Sequence, residues 1–146
     1  MDKTVTDIEL AKAISLNVRE AYAIAIEFIN SNPDYSLVKF REIVSEVIGL
    51  VAQKHEITFN QETLADRIRV LAESRLLSYP LKQALHEVRK LGNSGAHGEG
   101  NFEGAKEFQE NRKRKLIEDA HRARTQIVSI LEDVHQLLKG RLIGGR

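Results

Sequence analysis

The sequence predicts an all-α protein, an up-down bundle of four to five helices. Three observations carry that expectation. Apolar residues recur at alternating spacings of three and four along most of the chain, the period of one buried helix face. Only two prolines interrupt the pattern, and no stretch alternates apolar and polar residues as a half-buried strand would. The composition, 42% hydrophobic, 29% charged and 5% aromatic, is that of a soluble helical domain.

The first helix is expected from about Thr6 to Ile29, capped at Thr6 or Asp7, with Leu10, Ile14, Val18, Ala21, Ala25 and Phe28 inward. The turn Asn30-Ser-Asn-Pro33-Asp34 ends it, because Pro33 cannot extend a helix and Asn32 is steered away from helical dihedrals. A second helix, Ser36 to Lys54, presents Leu37, Phe40, Val44, Val47 and Val51 on one face. Asn60 is the expected cap of a shorter third helix carrying Leu64, Ile68 and Leu71. Ser78-Tyr79-Pro80 opens a fourth, where the missing N–H of Pro80 costs nothing, and Leu81, Leu85 and Val88 face inward.

Five of the nine glycines fall between Gly92 and Gly104, which predicts a turn or helix break between the last two main helices. The final helix is expected to begin between Glu107 and Leu116. It runs to Lys139 on Leu116, Ala120, Ala123, Ile127, Leu131, Val134 and Leu138, with Gly140 as its C-cap. Residues 1–140 then make one domain and 141–146 a C-terminal tail. A chain of 146 residues buries about two-thirds of its unfolded surface without a staple.

Composition also narrows function. There is no cysteine, which removes thiolate catalysis, disulfides and cysteine-based metal sites and agrees with a reducing compartment. The amino end has no apolar run, and Ala21 to Ile29, the most apolar stretch, is too short to span a bilayer; no secretory signal and no membrane association are expected, and a cytoplasmic location is. The 22 Lys and Arg nearly balance 21 Asp and Glu, for a net charge of +1, so any nucleic-acid contact must come from a local patch.

Two local features are candidates. In Arg89-Lys-Leu-Gly-Asn-Ser-Gly-Ala-His97, glycines that each cost a helix about 1 kcal/mol against alanine stand beside Asn93, a capping residue, and His97, which titrates near neutrality. The same spacing also describes a plain helix break capped by Asn93 and held by His97. The basic run Arg112, Lys113, Arg114 and Lys115, followed by Arg122 and Arg124, can form a phosphate-contacting strip; it also reads as a solvated helix surface diluted by Glu118 and Asp119. No metal or cofactor is expected: His86-Glu87 and His55-Glu56 lack a second histidine at helical spacing, and Gly92 to Gly100 does not end in Gly-Lys-Ser/Thr.

The run Leu85-His-Glu-Val-Arg89-Lys-Leu-Gly-Asn93-Ser-Gly-Ala-His97 resembles the signature of a HEPN-like helical domain of unknown function. That domain is found alone in bacteria and phage and at the amino end of type I restriction enzyme motor subunits. The segment Asp34-Tyr-Ser-Leu-Val-Lys-Phe-Arg41-Glu-Ile-Val is similar to that domain's second helix. The resemblance covers residues 10 to 138 and implies a HEPN-like bundle that forms a homodimer. The wider superfamily includes metal-independent RNases in which an arginine shortly before a histidine faces the scissile phosphate, the histidine acting as general acid or base and the arginine stabilising the charged phosphorane. Here Gly92 holds the place of the arginine before Asn93. Lys90 lies at the limit of that spacing and Arg89 one residue beyond, and Glu99 stands where the related toxins carry tyrosine. Between His97 and the last helix the chain is longer than the resemblance implies.

These readings lead to three expectations. The first is a non-catalytic interaction module for RNA, DNA or a protein partner in bacterial or phage defence or restriction. The second is a divergent RNase using His97 with Arg89 or Lys90. The third is a structural dimer or small subunit of a larger complex.

Overall fold

The computed structural model describes residues 3–96 and 106–144, with side chains placed for residues 6–93 and 108–139. These residues contain six helices: α1 (Lys3–Ile14), α2 (Leu16–Glu27), α3 (Pro33–Lys54), α4 (Leu64–Glu73), α5 (Tyr79–Ala96) and α6 (Lys106–Gly144). The all-α bundle is as expected; the helix count and several boundaries are not.

The helix expected over Thr6 to Ile29 is two helices. Ser15 adopts an extended conformation (φ −172°, ψ 161°), and its hydroxyl accepts from the Val18 N–H at 3.0 Å, which starts α2 afresh. The apolar period runs on through this corner, so it gave no sign of it. Thr6 and Asp7 lie inside α1 rather than at a cap, and Asp7 is buried.

The helix expected from Ser36 begins three residues earlier. Pro33 sits in the first turn of α3 and the Asn32 side chain accepts from the Tyr35 N–H at 3.4 Å, so the proline starts the helix rather than preceding it. Thr63, not Asn60, caps α4, its hydroxyl accepting from Asp66 N–H at 3.1 Å. Both α3 and α4 close through left-handed residues, Glu56 (φ 58°) and Arg75 (φ 64°). In each case the following N–H reaches back to a carbonyl of the last turn: Ile57 to Ala52 at 2.8 Å and Leu76 to Leu71 at 3.0 Å. Ser78 caps α5, its hydroxyl accepting from the Leu81 N–H at 3.2 Å.

The helix does not break at Gly92. Helix α5 continues through Gly92 and Asn93 to Ala96, so Asn93 lies within the helix rather than at the start of a new one. His97 and the following residues to 105 lie outside the described residues. Helix α6 starts at Lys106 and passes Gly140 to Gly144, so Gly140 is no C-cap and the expected tail is helical as far as Gly144.

Helix α3 is the axis of the bundle, packed by α2, α5 and α6 and touched by α4. Neighbours on several sides explain why it buries Ser36, Ile43, Ile48 and Ala52 in addition to the expected stripe. Helix α5 also lies against α6, and α1 bridges α2 and α6. Tyr22, Leu37, Phe40, Ile43, Ile68, Leu71, Leu85, Ile127, Ile130 and Leu131 are fully enclosed, each worth about 1.5–3 kcal/mol of apolar burial. At 39 residues α6 is about 58 Å long against about 33 Å for the 22-residue α3, so it outruns the helix it packs on.

Polar groups fasten α1. The Tyr22 hydroxyl donates to Asp7 Oδ2 at 3.0 Å, Arg124 Nε donates to the same hydroxyl at 3.2 Å, and Arg124 Nη2 lies 3.6 Å from Asp7 Oδ2. One residue each from α1, α2 and α6 thus forms a closed triangle. Burial pushes the Tyr22 phenol up to about 12, against the lowering effect of the Arg124 guanidinium.

Candidate functional site

Helix α5 repeats polar residues at the spacing of its solvent face. Gln83, His86 and Lys90 fall in line, with Arg89 beside them, because residues three and four apart stack on one side of a helix. Their opposite numbers Leu81, Leu85 and Val88 are buried, which fixes the rotation of the helix. Arg69 from α4 and Arg122 from α6 close in from either side. Together with Glu87 and Leu91 these residues line a groove of about 660 Å³.

Cations dominate it. Among the described residues, Arg69, Arg89, Lys90 and Arg122 line the groove against the single carboxylate of Glu87. Glu87 is already engaged: it accepts from the Gln126 amide, and Arg122 Nε lies 4.0 Å from its Oε2. Arg122 also reaches Asp119 at 3.7 Å, and Arg69 pairs with the exposed Asp66.

At the centre, half-buried Arg89 donates from Nε to His86 Nδ1 at 3.3 Å, so the imidazole accepts there as a neutral base. Burial holds the His86 imidazole below its ordinary value, and the charges of Arg89, Lys82, Lys90 and Arg69 press it further in the same direction. Burial also lowers Arg89, followed by the fields of Arg41 and Arg69. A cationic pocket whose own members repel one another gains by taking up an anion.

Arg41 contributes from beneath. Its stem lies against Gly92, where a Cβ would overlap the Arg41 Cβ and stand 3.0 Å from both Arg41 Cδ and the Leu37 carbonyl oxygen. Arg41 Nε is buried without a hydrogen-bond partner among the described residues. Gly92 is therefore the point at which α5 crosses α3 at close range, a reason for glycine different from the break its spacing predicts.

The other candidate residues divide. Arg112 and Lys113 join Leu116, the turn residues Ser31 and Asn32, and Pro33 and Asp34 at the start of α3 around a smaller cavity of about 220 Å³. Arg114 donates to Asn111 at 2.9 Å, and Lys115 pairs with Asp119 at 3.1 Å. Arg122 belongs to the groove and Arg124 turns inward to Asp7 and Tyr22. They do not make one strip, since successive residues rotate by about 100° around the helix and partners on α1, α2 and α5 claim individual members.

Of the residues in the α5 motif, Arg89 and Lys90 are brought to the groove, Gly92 and Asn93 are in the helix, and His97 lies outside the described residues. Sequence reasoning missed Arg69, Gln83 and His86 as site residues. Stepping back from Arg89 by three and Lys90 by seven finds His86 and Gln83, but nothing local links Arg69 to them. Among the described residues no group of three or more His, Asp or Glu could hold a metal, and no helix is long and apolar enough to cross a membrane.

The sequence model of a domain of unknown function, DUF4145, matches residues 23–139, from within α2 to within α6. No curated protein matches the chain significantly. No solved structure does so either. With most of its length matched, the chain belongs to the DUF4145 family.

Proposed function

We propose that this domain is a non-catalytic, HEPN-like module that binds nucleic acid through the groove between α4, α5 and α6. The observation that carries the reading is the convergence of Arg69, Arg89, Lys90 and Arg122 from three helices on one concavity whose only lining carboxylate among the described residues is already paired. Phosphate oxygens answer that field, and arginine's planar fork suits them. The near-zero net charge makes this binding local, dependent on the groove rather than on a general attraction.

The absence of cleavage is argued from Gly92. In the resemblance to HEPN RNases this position would carry the arginine that stabilises the phosphorane, and here a side chain would run into α3. Homodimerisation and a role in bacterial or phage restriction or defence belong to the same proposal and rest on the resemblance of residues 85–97.

Fluorescence anisotropy with labelled oligonucleotides tests the binding. Affinity should fall steeply with salt, and Arg89→Ala should weaken binding and reduce the slope of log K against log salt by about 1. No binding at low salt would overturn the proposal. Incubation with total RNA tests the second half: the RNA should remain intact, and cleavage that disappears in His97→Ala would show a nuclease instead.

A further inference from the structure

Helix α5 carries one group that the groove's charge does not explain. Tyr79, at its first position, is 70% exposed, the most exposed large hydrophobic residue described. The other two tyrosines are used: Tyr22 is enclosed against Phe40, and Tyr35 packs edge-on to Phe28 with its centroid 5.3 Å away and Lys39 over its ring. Tyr79 has no such neighbour among the described residues.

Its position on the helix gives it meaning. Tyr79, Gln83, His86 and Lys90 are separated by four, three and four residues, so they stand within a narrow arc of one face. At 1.5 Å per residue, Tyr79 lies about 10 Å along the axis from His86 and about 16 Å from Lys90. A flat, exposed ring therefore stands at one end of a track whose other end is cationic.

We propose that this track takes a single-stranded nucleic acid, with a base stacked on Tyr79 and the following phosphates on Arg89, Lys90 and Arg69. The inference rests on the groove binding nucleic acid and specifies which kind. An aromatic platform followed by a positive groove is the way single strands are held without sequence readout, since every base has a face to stack. Bases within a duplex are already stacked and cannot use the ring. A duplex would engage the cations alone, so the ring is what distinguishes the two. Gln83, between ring and cations, is placed to meet a base edge or sugar.

The test uses three labelled probes of equal length: oligo-dT, an abasic strand and a hairpin duplex. The wild type should bind oligo-dT more tightly than the other two. Tyr79→Ala and Tyr79→Leu should weaken oligo-dT binding about 5- to 150-fold, the range of one lost base stack, while Tyr79→Phe keeps it. None of the three should alter binding of the abasic strand. Unchanged thermal melting checks that the exposed substitutions leave the fold intact. If oligo-dT binding is lost in Arg89→Ala but indifferent to Tyr79→Ala, the stacking inference is wrong and the nucleic-acid reading stands. If none of the probes binds, both fall.

Discussion

Gly92 of α5 meets the stem of Arg41 on α3 so closely that even a methyl group would overlap the Arg41 Cβ. Two effects of Gly92→Ala then oppose each other. Alanine improves helix propensity by about 1 kcal/mol, while overpacking a tight contact costs about 1–3 kcal/mol. The atoms in the way are a Cβ and a backbone carbonyl, which cannot swing aside, so the steric cost wins. Urea denaturation should show Gly92→Ala less stable than the wild type. Gly49, also helical but with nothing within 4 Å of its missing Cβ, is the control: Gly49→Ala should stabilise by about 0.5–1 kcal/mol. Equal effects at the two positions would refute the close crossing.

The Asp7–Tyr22–Arg124 triangle gives a second expectation. Asp7 is buried, and Arg124 is the cation that faces it. Arg124→Met leaves an uncompensated carboxylate, a situation that costs about 3–5 kcal/mol when fully buried and less here, where Arg124 keeps partial exposure. Tyr22→Phe removes a neutral donor and should cost about 1–2 kcal/mol. The double variant Asp7→Asn/Arg124→Met should be less damaging than the sum of its parts, since the charge and its partner leave together. Because the folded Tyr22 phenol is raised to about 12 from an ordinary 10, its stabilisation is complete below pH 10 and is lost as pH rises toward 12. Tyr22→Phe should flatten that alkaline limb of the stability curve.

The corner at Ser15 is a simpler matter. Its hydroxyl holds the Val18 N–H at 3.0 Å, the sole side-chain cap at the start of α2. Ser15→Ala should lower stability by about 1 kcal/mol, with Ser15→Asp recovering most of it. A melting temperature unchanged by Ser15→Ala would mean that packing alone sets the corner.

These relationships differ in how far the sequence discloses them. The inner stripes of α3, α5 and α6 were legible because burial imposes a period on every turn, and Leu37, Leu85 and Ile127 are where that period puts them. The corner at Ser15 was not, because a one-residue interruption shifts the apolar phase too little to register. Gly92 misled for a physical reason: lacking a Cβ, glycine serves both to end a helix and to let two helices touch, and only the neighbour tells which. Two of the groove's four cations, Arg89 and Lys90, stand in one segment, and Arg122 is a candidate in the sequence with nothing to link it to them. Arg69 and Arg122 come to it through packing of α4 and α6 against α5, and the Tyr22–Arg124 contact spans 102 residues. No local pattern carries such pairings.

The remaining prediction concerns protons. His86 accepts from Arg89 and sits among Arg69, Lys82, Arg89 and Lys90 from α4 and α5, and Arg122 of α6 and the carboxylate of Glu87 line the same groove. Its imidazole is held below the ordinary 6.5, first by burial and then by those cations. In the free protein that depression stabilises the fold above pH 6.5 and is lost as pH falls through the folded value, so His86→Gln should relieve part of the acid destabilisation. A bound phosphate cancels the cationic field and raises the imidazole, which makes binding take up a proton. Affinity of the wild type for oligo-dT should therefore increase as pH is lowered from about 7.5 to about 5.5, by at most tenfold per pH unit for a single group. His86→Gln keeps an acceptor for Arg89 but cannot titrate, and its affinity should be level across the same range. If the variant retains the wild-type slope, the proton is taken up elsewhere and His86 is only a support for Arg89.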